Sequence, residues 1–165
     1  MTGFSSPSLT ATDLMLLERT IELSEASRDS GNHPFGALLA DEAGHILIES
    51  GNSSARDRGI GHAELNVSRE AARRFTPEFL LSCTLVTSVE PCCMCAGSVY
   101  WAGIGRLVYG MSEKRLAILT GDNPENLTMN MPCRQVFEAG QRKVCVAGPA
   151  DTLEGRIIRA HQGFW

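Results

Sequence analysis

The interpretation of this chain depends on Pro91-Cys92-Cys93-Met94-Cys95, taken together with the earlier His62-Ala63-Glu64. Cys92 and Cys95 have the spacing with which two thiolates bind one metal ion, and His62 can add a third ligand. Three protein ligands leave one position of a tetrahedral zinc ion open, which is typical of a catalytic site. The sequence therefore predicts a Zn²⁺ site formed by His62, Cys92 and Cys95.

Both stretches are predicted to begin helices. Pro91 suits the first position of a helix, where its missing N–H costs nothing. Residues three apart share a helix face, so Cys92 and Cys95 are expected to point the same way and Cys93 elsewhere. The N-terminus of a helix favours negative charge, which helps the two sulfurs to stay ionised.

Glu64 lies two residues after the predicted ligand His62. An acidic residue at this position could simply stabilise the N-terminus of a helix. Its closeness to the predicted metal ligand favours another interpretation, in which the carboxyl group carries protons for a reaction at the zinc ion. Glu64 is therefore the predicted catalytic residue.

Composition restricts the class of protein. The chain has 165 residues, with 43% hydrophobic and 21% charged residues, as expected for one globular domain spanning residues 1–165. The formal net charge is −4 and Lys114 and Lys143 are the only lysines, so nucleic acid is not an expected partner. No apolar segment is long enough to suggest a membrane span. The cysteine spacing indicates metal binding instead of a disulfide framework, which predicts a reducing, cytoplasmic location.

The alternation of helical and strand patterns predicts an α/β fold with a mixed sheet. A loop is expected at residues 51–61 and a polar loop at 121–130. Strands are predicted at residues 36–40, 45–49, 83–89, 106–109 and 144–147. Helices are predicted at residues 13–28, 62–74, 91–102, 112–119, 132–139 and 153–161.

The two opening stretches resemble the signature of the cytidine deaminase superfamily, in which H-x-E is followed by P-C-x-x-C. The resemblance extends to Pro34-Phe35-Gly36-Ala37, to Asn52 and to Tyr100-Trp101-Ala102, and it covers about residues 14–110. It is strongest to the guanine deaminase and tRNA adenosine deaminase branch. It implies a three-layer α/β/α fold around a five-stranded mixed sheet, a bound Zn²⁺ and a homodimer.

The same resemblance implies several substrate-binding residues. Asn52 would hydrogen-bond the base, although it could also be a turn former. Phe35 would either stack on the base or belong to the core. Ala63 would contribute backbone groups. Asp122 matches loosely an acidic residue that some guanine deaminases place after the fourth strand, and a plain turn residue is an equal alternative.

The resemblance implies a zinc-dependent aminohydrolase that acts on a free nucleobase or a similar small amine, with Glu64 relaying protons. Guanine to xanthine is the preferred reaction, because Pro34-Phe35-Gly36-Ala37 is closer to guanine deaminases than to tRNA enzymes. The alternatives are tRNA adenosine deamination, deamination of cytosine or another base-like amine, and an inactive zinc-binding module. Intact Glu64 argues against the last of these.

Aromatic side chains give two further expectations. Phe164 and Trp165 at the C-terminus are expected to pack, either in the core or a dimer seam, or over the zinc site, where Trp165 would offer an aromatic face to the base. Val99, Tyr100 and Trp101 give the cysteine helix more apolar surface than one sheet face needs, which favours a dimer.

Overall fold

A computed structural model describes residues 7–165 and shows an α/β architecture around one five-stranded sheet. The strands are Gly36–Ala40 (β1), Ile46–Gly51 (β2), Thr84–Val89 (β3), Arg106–Met111 (β4) and Cys145–Ala147 (β5). The helices are Ala11–Asp29 (α1), Ser54–Asp57 (α2), Ala63–Arg74 (α3), Pro77–Leu80 (α4), Cys93–Ala102 (α5), Glu113–Thr120 (α6), Cys133–Glu138 (α7) and Glu154–His161 (α8).

The sheet is mixed, with strand order β2-β1-β3-β4-β5. β1 pairs antiparallel with both β2 and β3, whereas β3, β4 and β5 run parallel. Leu38 lies opposite Val86, and Val86 lies opposite Val108, so apolar side chains face each other across the three central strands. The start of β1 and the ends of β3 and β4 therefore lie at the same edge of the sheet.

The two faces of the sheet are covered by different helices. Because side chains alternate along a strand, each strand contributes to both layers. On one face, Leu39, Leu85 and Leu107 pack with side chains of α3, α5 and α7. On the other, Val86 and Val108 pack with side chains of α1, α6 and α8. The predicted three-layer α/β/α fold with a five-stranded mixed sheet is confirmed.

The segment at residues 51–61, expected to be a loop, is partly helical. It contains α2 and a 3-10 turn, Arg58–Ile60. The two ends of the segment are joined, since the Ser53 N–H donates to the Gly61 carbonyl at 2.7 Å. A Cβ at Gly61 would lie 2.7 Å from the backbone of Ser53, so only glycine permits this approach.

The cysteine helix begins two residues later than the sequence suggested. α5 starts at Cys93, and Cys92 is its N-cap residue with extended backbone angles. Pro91 therefore precedes the helix instead of occupying its first turn. All six cysteines are free thiols. None of the helices formed by residues 7–165 has the length and apolar character needed to cross a membrane.

Candidate active site

The structure brings the three predicted metal ligands together. The Nδ1 atom of His62 lies 3.5 Å from Cys92 Sγ and 3.4 Å from Cys95 Sγ. The three ligand atoms all lie within 4.8 Å of one another. In a tetrahedral zinc site, bond lengths of about 2.3 Å to sulfur and about 2.05 Å to nitrogen place the two atoms about 3.6 Å apart. The residues present therefore fit a zinc ion.

Two helix N-termini supply these ligands. His62 is the N-cap residue of α3, and Cys92 is the N-cap residue of α5, with Cys95 in the first turn. α3 and α5 pack side by side on the same face of the sheet, and both begin at the edge where β3 ends. The positive end of each helix dipole therefore faces the ligand atoms, which favours ionised sulfur.

The electrostatics of the cluster favour one thiolate before any metal binds. A hydrogen bond from Cys95 lowers the pKa of Cys92 to about 4, against the effect of burial. The same hydrogen bond and burial raise the pKa of Cys95. Burial opposes a charged His62, but the hydrogen bond to Cys92 and the negative charge of Glu64 raise its pKa to about 9. Metal binding would therefore release protons from this site.

Glu64 is fully enclosed beside the ligand cluster. Its residue is only 4% exposed, and burial raises the pKa of its carboxyl group, with a further contribution from the charge of Cys92. The Thr87 hydroxyl lies 3.1 Å from Glu64 Oε1 and 3.1 Å from the carbonyl oxygen of Val89. Thr87 thus fixes the carboxyl group in one orientation. A buried carboxyl group with a raised pKa is suited to exchanging protons near neutral pH.

Asn52 lies at the end of β2 and is buried. Its backbone N–H donates to the Phe35 carbonyl at 3.1 Å, which places it beside the start of β1. Its side-chain oxygen accepts from Ser54 N at 2.7 Å. Within the described part of the chain, Nδ2 makes no hydrogen bond, so the amide keeps donors available for a ligand. Ala63 begins α3, where first-turn N–H groups lack intrahelical acceptors.

Phe35 and the C-terminal tail form one aromatic cluster. Phe35 is half-buried and contacts both core layers at the edge where β1 begins. The ring of Trp165 lies 6.1 Å from that of Phe35 and 5.2 Å from that of His33. Trp165 Nε1 donates to His161 Nδ1 at 3.0 Å. Trp165 is therefore packed next to Phe35 and His33.

Asp122 is not joined to these residues. It lies in an exposed turn after α6 and, among the described residues, forms no hydrogen bond or ion pair with the ligand cluster or Glu64. The structure thus corresponds to the alternative of a plain turn residue. The cysteine helix exposes less apolar surface than the sequence suggested, because Val99 is buried in the core. Trp101 remains 85% exposed.

Two acidic residues near the cluster were not assigned side-chain roles from the sequence. Glu90 precedes the cysteine stretch and is buried, and its two carboxyl oxygens accept from Glu113 N at 3.1 Å and Cys133 N at 3.0 Å. Glu90 therefore fixes the starts of α6 and α7 next to the ligands. Glu113 is itself buried. The sequence offered no periodic or motif signal for either role.

Comparison with known proteins agrees with this geometry. Residues 10–111 match the family model described as the cytidine and deoxycytidylate deaminase zinc-binding region. The fold and the three-ligand site thus define a zinc-binding hydrolytic deaminase. The match covers more than half of the chain, and the chain belongs to the cytidine and deoxycytidylate deaminase family.

Individual relatives have more than one activity. The chain is 35% identical over 161 residues to a probable cytosine deaminase of Schizosaccharomyces pombe, covering 98% of this chain and 97% of the relative. It is 33% identical over 87 residues to a guanine deaminase of Bacillus subtilis, covering 52% and 56%. Among solved structures, a guanine deaminase from Nitrosomonas europaea superposes with a TM-score of 0.69 at 23% identity, covering 96% and 88%.

Proposed function

We propose that the protein hydrolyses a free nucleobase, with cytosine going to uracil and ammonia as the first candidate. One observation supports cytosine over guanine. The similarity to the probable cytosine deaminase continues through 98% of this chain, whereas the guanine deaminase similarity covers 52%. The full-length match includes the segments after β4 and the C-terminal tail, which border Phe35 and the ligand cluster. The preference for guanine drawn from the sequence is therefore revised.

In this proposal His62, Cys92 and Cys95 hold zinc, and Glu64 moves the protons. A zinc ion in a three-ligand site supplies a water that is nucleophilic near neutral pH. The oxygen of water bonds to the ring carbon that carries the amino group, and the bond from that carbon to nitrogen breaks. Glu64 takes one proton from water and delivers it to the ring nitrogen. It then takes the second proton from the new hydroxyl group on the ring carbon and delivers it to the departing amine, which leaves as ammonia as the carbonyl forms.

The remaining residues would orient the base. Asn52 Nδ2 would donate to the ring carbonyl oxygen, since its side-chain oxygen is held by Ser54. Phe35 and Trp165 would provide aromatic surface against the flat ring. Ala63 would offer its first-turn N–H. Thr87 would act as a positioning residue, because it contacts Glu64 and is buried beneath it.

Guanine is the second candidate, and it is favoured by Phe35 in the Pro34-Phe35-Gly36-Ala37 stretch together with the local similarity to the Bacillus subtilis enzyme. tRNA is the weaker substrate class. A formal charge of −4 with two lysines is poorly suited to neutralising a phosphate backbone.

We further propose a homodimer in the cytoplasm. Trp101 is 85% exposed, and Ile118, Met129 and Met131 also expose apolar surface. Apolar side chains grouped on a surface are typical of protein–protein interfaces. A dimer predicts twice the chain mass of 17.9 kDa by light scattering at micromolar concentration. A mass that stays at that of one chain would contradict the dimer.

The function is tested by measuring ammonia release from purified, zinc-loaded protein. Cytosine, guanine, adenine, their nucleosides and a tRNA anticodon stem-loop are the substrates. We expect turnover of cytosine, and the Glu64→Gln variant is the matched control for contaminating activity. Turnover of guanine alone would establish the second candidate. Inosine formed in the stem-loop, without reaction of any free base, would overturn the proposal.

A further inference from the structure

Glu113 is a buried acid whose position is not explained by folding alone. It is the first residue of α6 and is 7% exposed. An acidic residue in the first turn of a helix normally stabilises the dipole from the solvent side. The N-terminus of α6 is already capped, because Ser112 Oγ accepts from Arg115 N at 3.1 Å. The burial of the Glu113 side chain therefore calls for another reason.

One oxygen of the Glu113 carboxyl group has no partner among the residues that the structure describes. Its Oε2 atom is buried and makes no hydrogen bond within the part of the chain that the structure describes. Its backbone N–H, by contrast, donates to Glu90 Oε2 at 3.1 Å, which holds the residue firmly in place. A buried polar atom without a partner costs about 1–3 kcal/mol, so evolution would keep one where a ligand completes the bond.

The charges that act on Glu113 include those of the candidate active site. Burial raises the pKa of its carboxyl group to about 8, and the negative charges of Cys92, Glu64 and Glu90 add to this effect. His62 acts in the opposite direction. Glu113 therefore lies within electrostatic reach of two predicted metal ligands and of the predicted proton carrier.

Space for a ligand lies beside the same carboxyl group. A cavity of about 390 Å³ is lined by Glu90, Glu113 and Met129, among others. Met129 Sδ lies 3.4 Å from Cys93 Sγ, so this cavity borders the cysteine stretch. The other lining side chains are mainly apolar, as expected for a pocket that holds a flat heterocycle with a few polar contacts.

We propose that Glu113 is a substrate-binding residue whose carboxyl group hydrogen-bonds the edge of the heterocyclic base. The inference rests on the proposed function and adds a specificity residue to it. A carboxyl group accepts hydrogen bonds through its oxygens and donates one when it is protonated. Such a group is complementary to a base edge on which a ring nitrogen and an N–H group are adjacent. The ligand class is therefore an aminated heterocycle with an amidine-like or amide-like edge.

The test compares Glu113→Ala with Glu113→Gln, because a carboxamide also has one donor and one acceptor. Glu78→Gln is the matched control, since Glu78 is an exposed acid in the first turn of α4. We expect Glu113→Ala to raise KM about 10- to 100-fold. Glu113→Gln should stay within about 3-fold of wild type, and Glu78→Gln should be unchanged.

A second measurement separates binding from turnover. Cytosine binding is measured by calorimetry in the inactive Glu64→Gln background, with and without Glu113→Ala. A weaker affinity in the double variant supports the contact. Unchanged KM and Kd in Glu113→Ala, with only the melting temperature lowered, would overturn it. A Glu113→Gln variant as impaired as Glu113→Ala would also overturn the paired contact.

If the proposed function is wrong, the same assays give a different result. If wild-type protein does not deaminate cytosine but deaminates another base of the panel, the cytosine proposal fails and the same variants are measured with that base. The Glu113 inference is then tested by the ratio of the KM of Glu113→Ala to the KM of Glu113→Gln. If no free base is turned over or bound by wild type, both proposals are overturned together.

Discussion

Replacing Thr87 with valine removes a single hydroxyl group from beneath the predicted proton carrier. Valine has nearly the same shape as threonine, so the buried site keeps its packing. The hydroxyl lies 3.1 Å from Glu64 Oε1 and 3.1 Å from the Val89 carbonyl oxygen. Thr87→Val therefore removes the one hydrogen bond that another side chain makes to the Glu64 carboxyl group in the described part of the chain, and weakens the control of its orientation.

The size of the effect follows from these contacts. A hydrogen bond to a charged group contributes about 1.5–3 kcal/mol, and a neutral one about 0.5–1.5 kcal/mol. One hydroxyl hydrogen is shared between Glu64 and Val89, so we take about 1.4 kcal/mol for the contact with Glu64. This corresponds to about a 10-fold fall in kcat/KM. The Val89 carbonyl also loses a partner, which should lower the free energy of unfolding by about 1 kcal/mol.

The assay is ammonia release under kcat/KM conditions, with zinc content and denaturant unfolding measured on the same preparations. Thr87→Ser is the control, because it retains the hydroxyl. We expect zinc content to be unchanged in both variants and the fall in kcat/KM to appear only with valine. If Thr87→Val kept full kcat/KM, the assignment of Thr87 as a positioning residue for Glu64 would be refuted.

The remaining predictions concern chemistry, acid stability and the tail. Glu64→Gln should keep zinc and fold but lose about 10²–10⁴-fold in kcat, and near-normal ammonia release would require another proton carrier. Asp13 is buried and accepts from Arg106 at 2.7 and 2.8 Å. Burial acts against ionisation, but the hydrogen bonds from Arg106 and Thr10 prevail and lower the Asp13 pKa. The stability from this pair is therefore present above the unfolded pKa of about 3.9 and lost as pH falls below it. Asp13→Asn should lower the free energy of unfolding, measured with urea, by about 2–3 kcal/mol at pH 7 and by much less near pH 2. An equal loss at both pH values would contradict the link between the Asp13 pKa and stability. Deleting Phe164 and Trp165 should raise KM with little change in melting temperature, because Trp165 packs against Phe35; lost stability with unchanged KM would mean that the tail only packs.

Much of the fold could be predicted because its signals are local. Thr10 caps α1 through a contact between residues three apart, in which its side chain accepts from Asp13 N at 3.1 Å. The apolar strands and the C-x-x-C spacing also depend on residues close in sequence. The start of α5 was misplaced because Pro91 fits two positions before a helix as well as the first turn, and local sequence does not distinguish them.

The parts of the site that the sequence did not predict depend on contacts between residues that are distant in sequence. Glu113 comes within electrostatic reach of Cys92 and Glu64 because β3 and β4 are parallel neighbours whose ends lie side by side. The exposure of Cys145 also depends on such contacts, because β5 is an edge strand of the sheet. Helix 112–119 was correctly predicted, yet its periodicity could not show that its first acidic residue turns inward.

We infer that His62, Cys92 and Cys95 hold one catalytic zinc ion. The most direct test is the zinc content per chain, measured on purified wild-type protein and on Cys92→Ser, Cys95→Ser and Cys93→Ser. We expect about one zinc per chain in wild type and in Cys93→Ser, and a large loss in Cys92→Ser and Cys95→Ser. Full zinc retention in Cys95→Ser, or loss in Cys93→Ser, would contradict this ligand set.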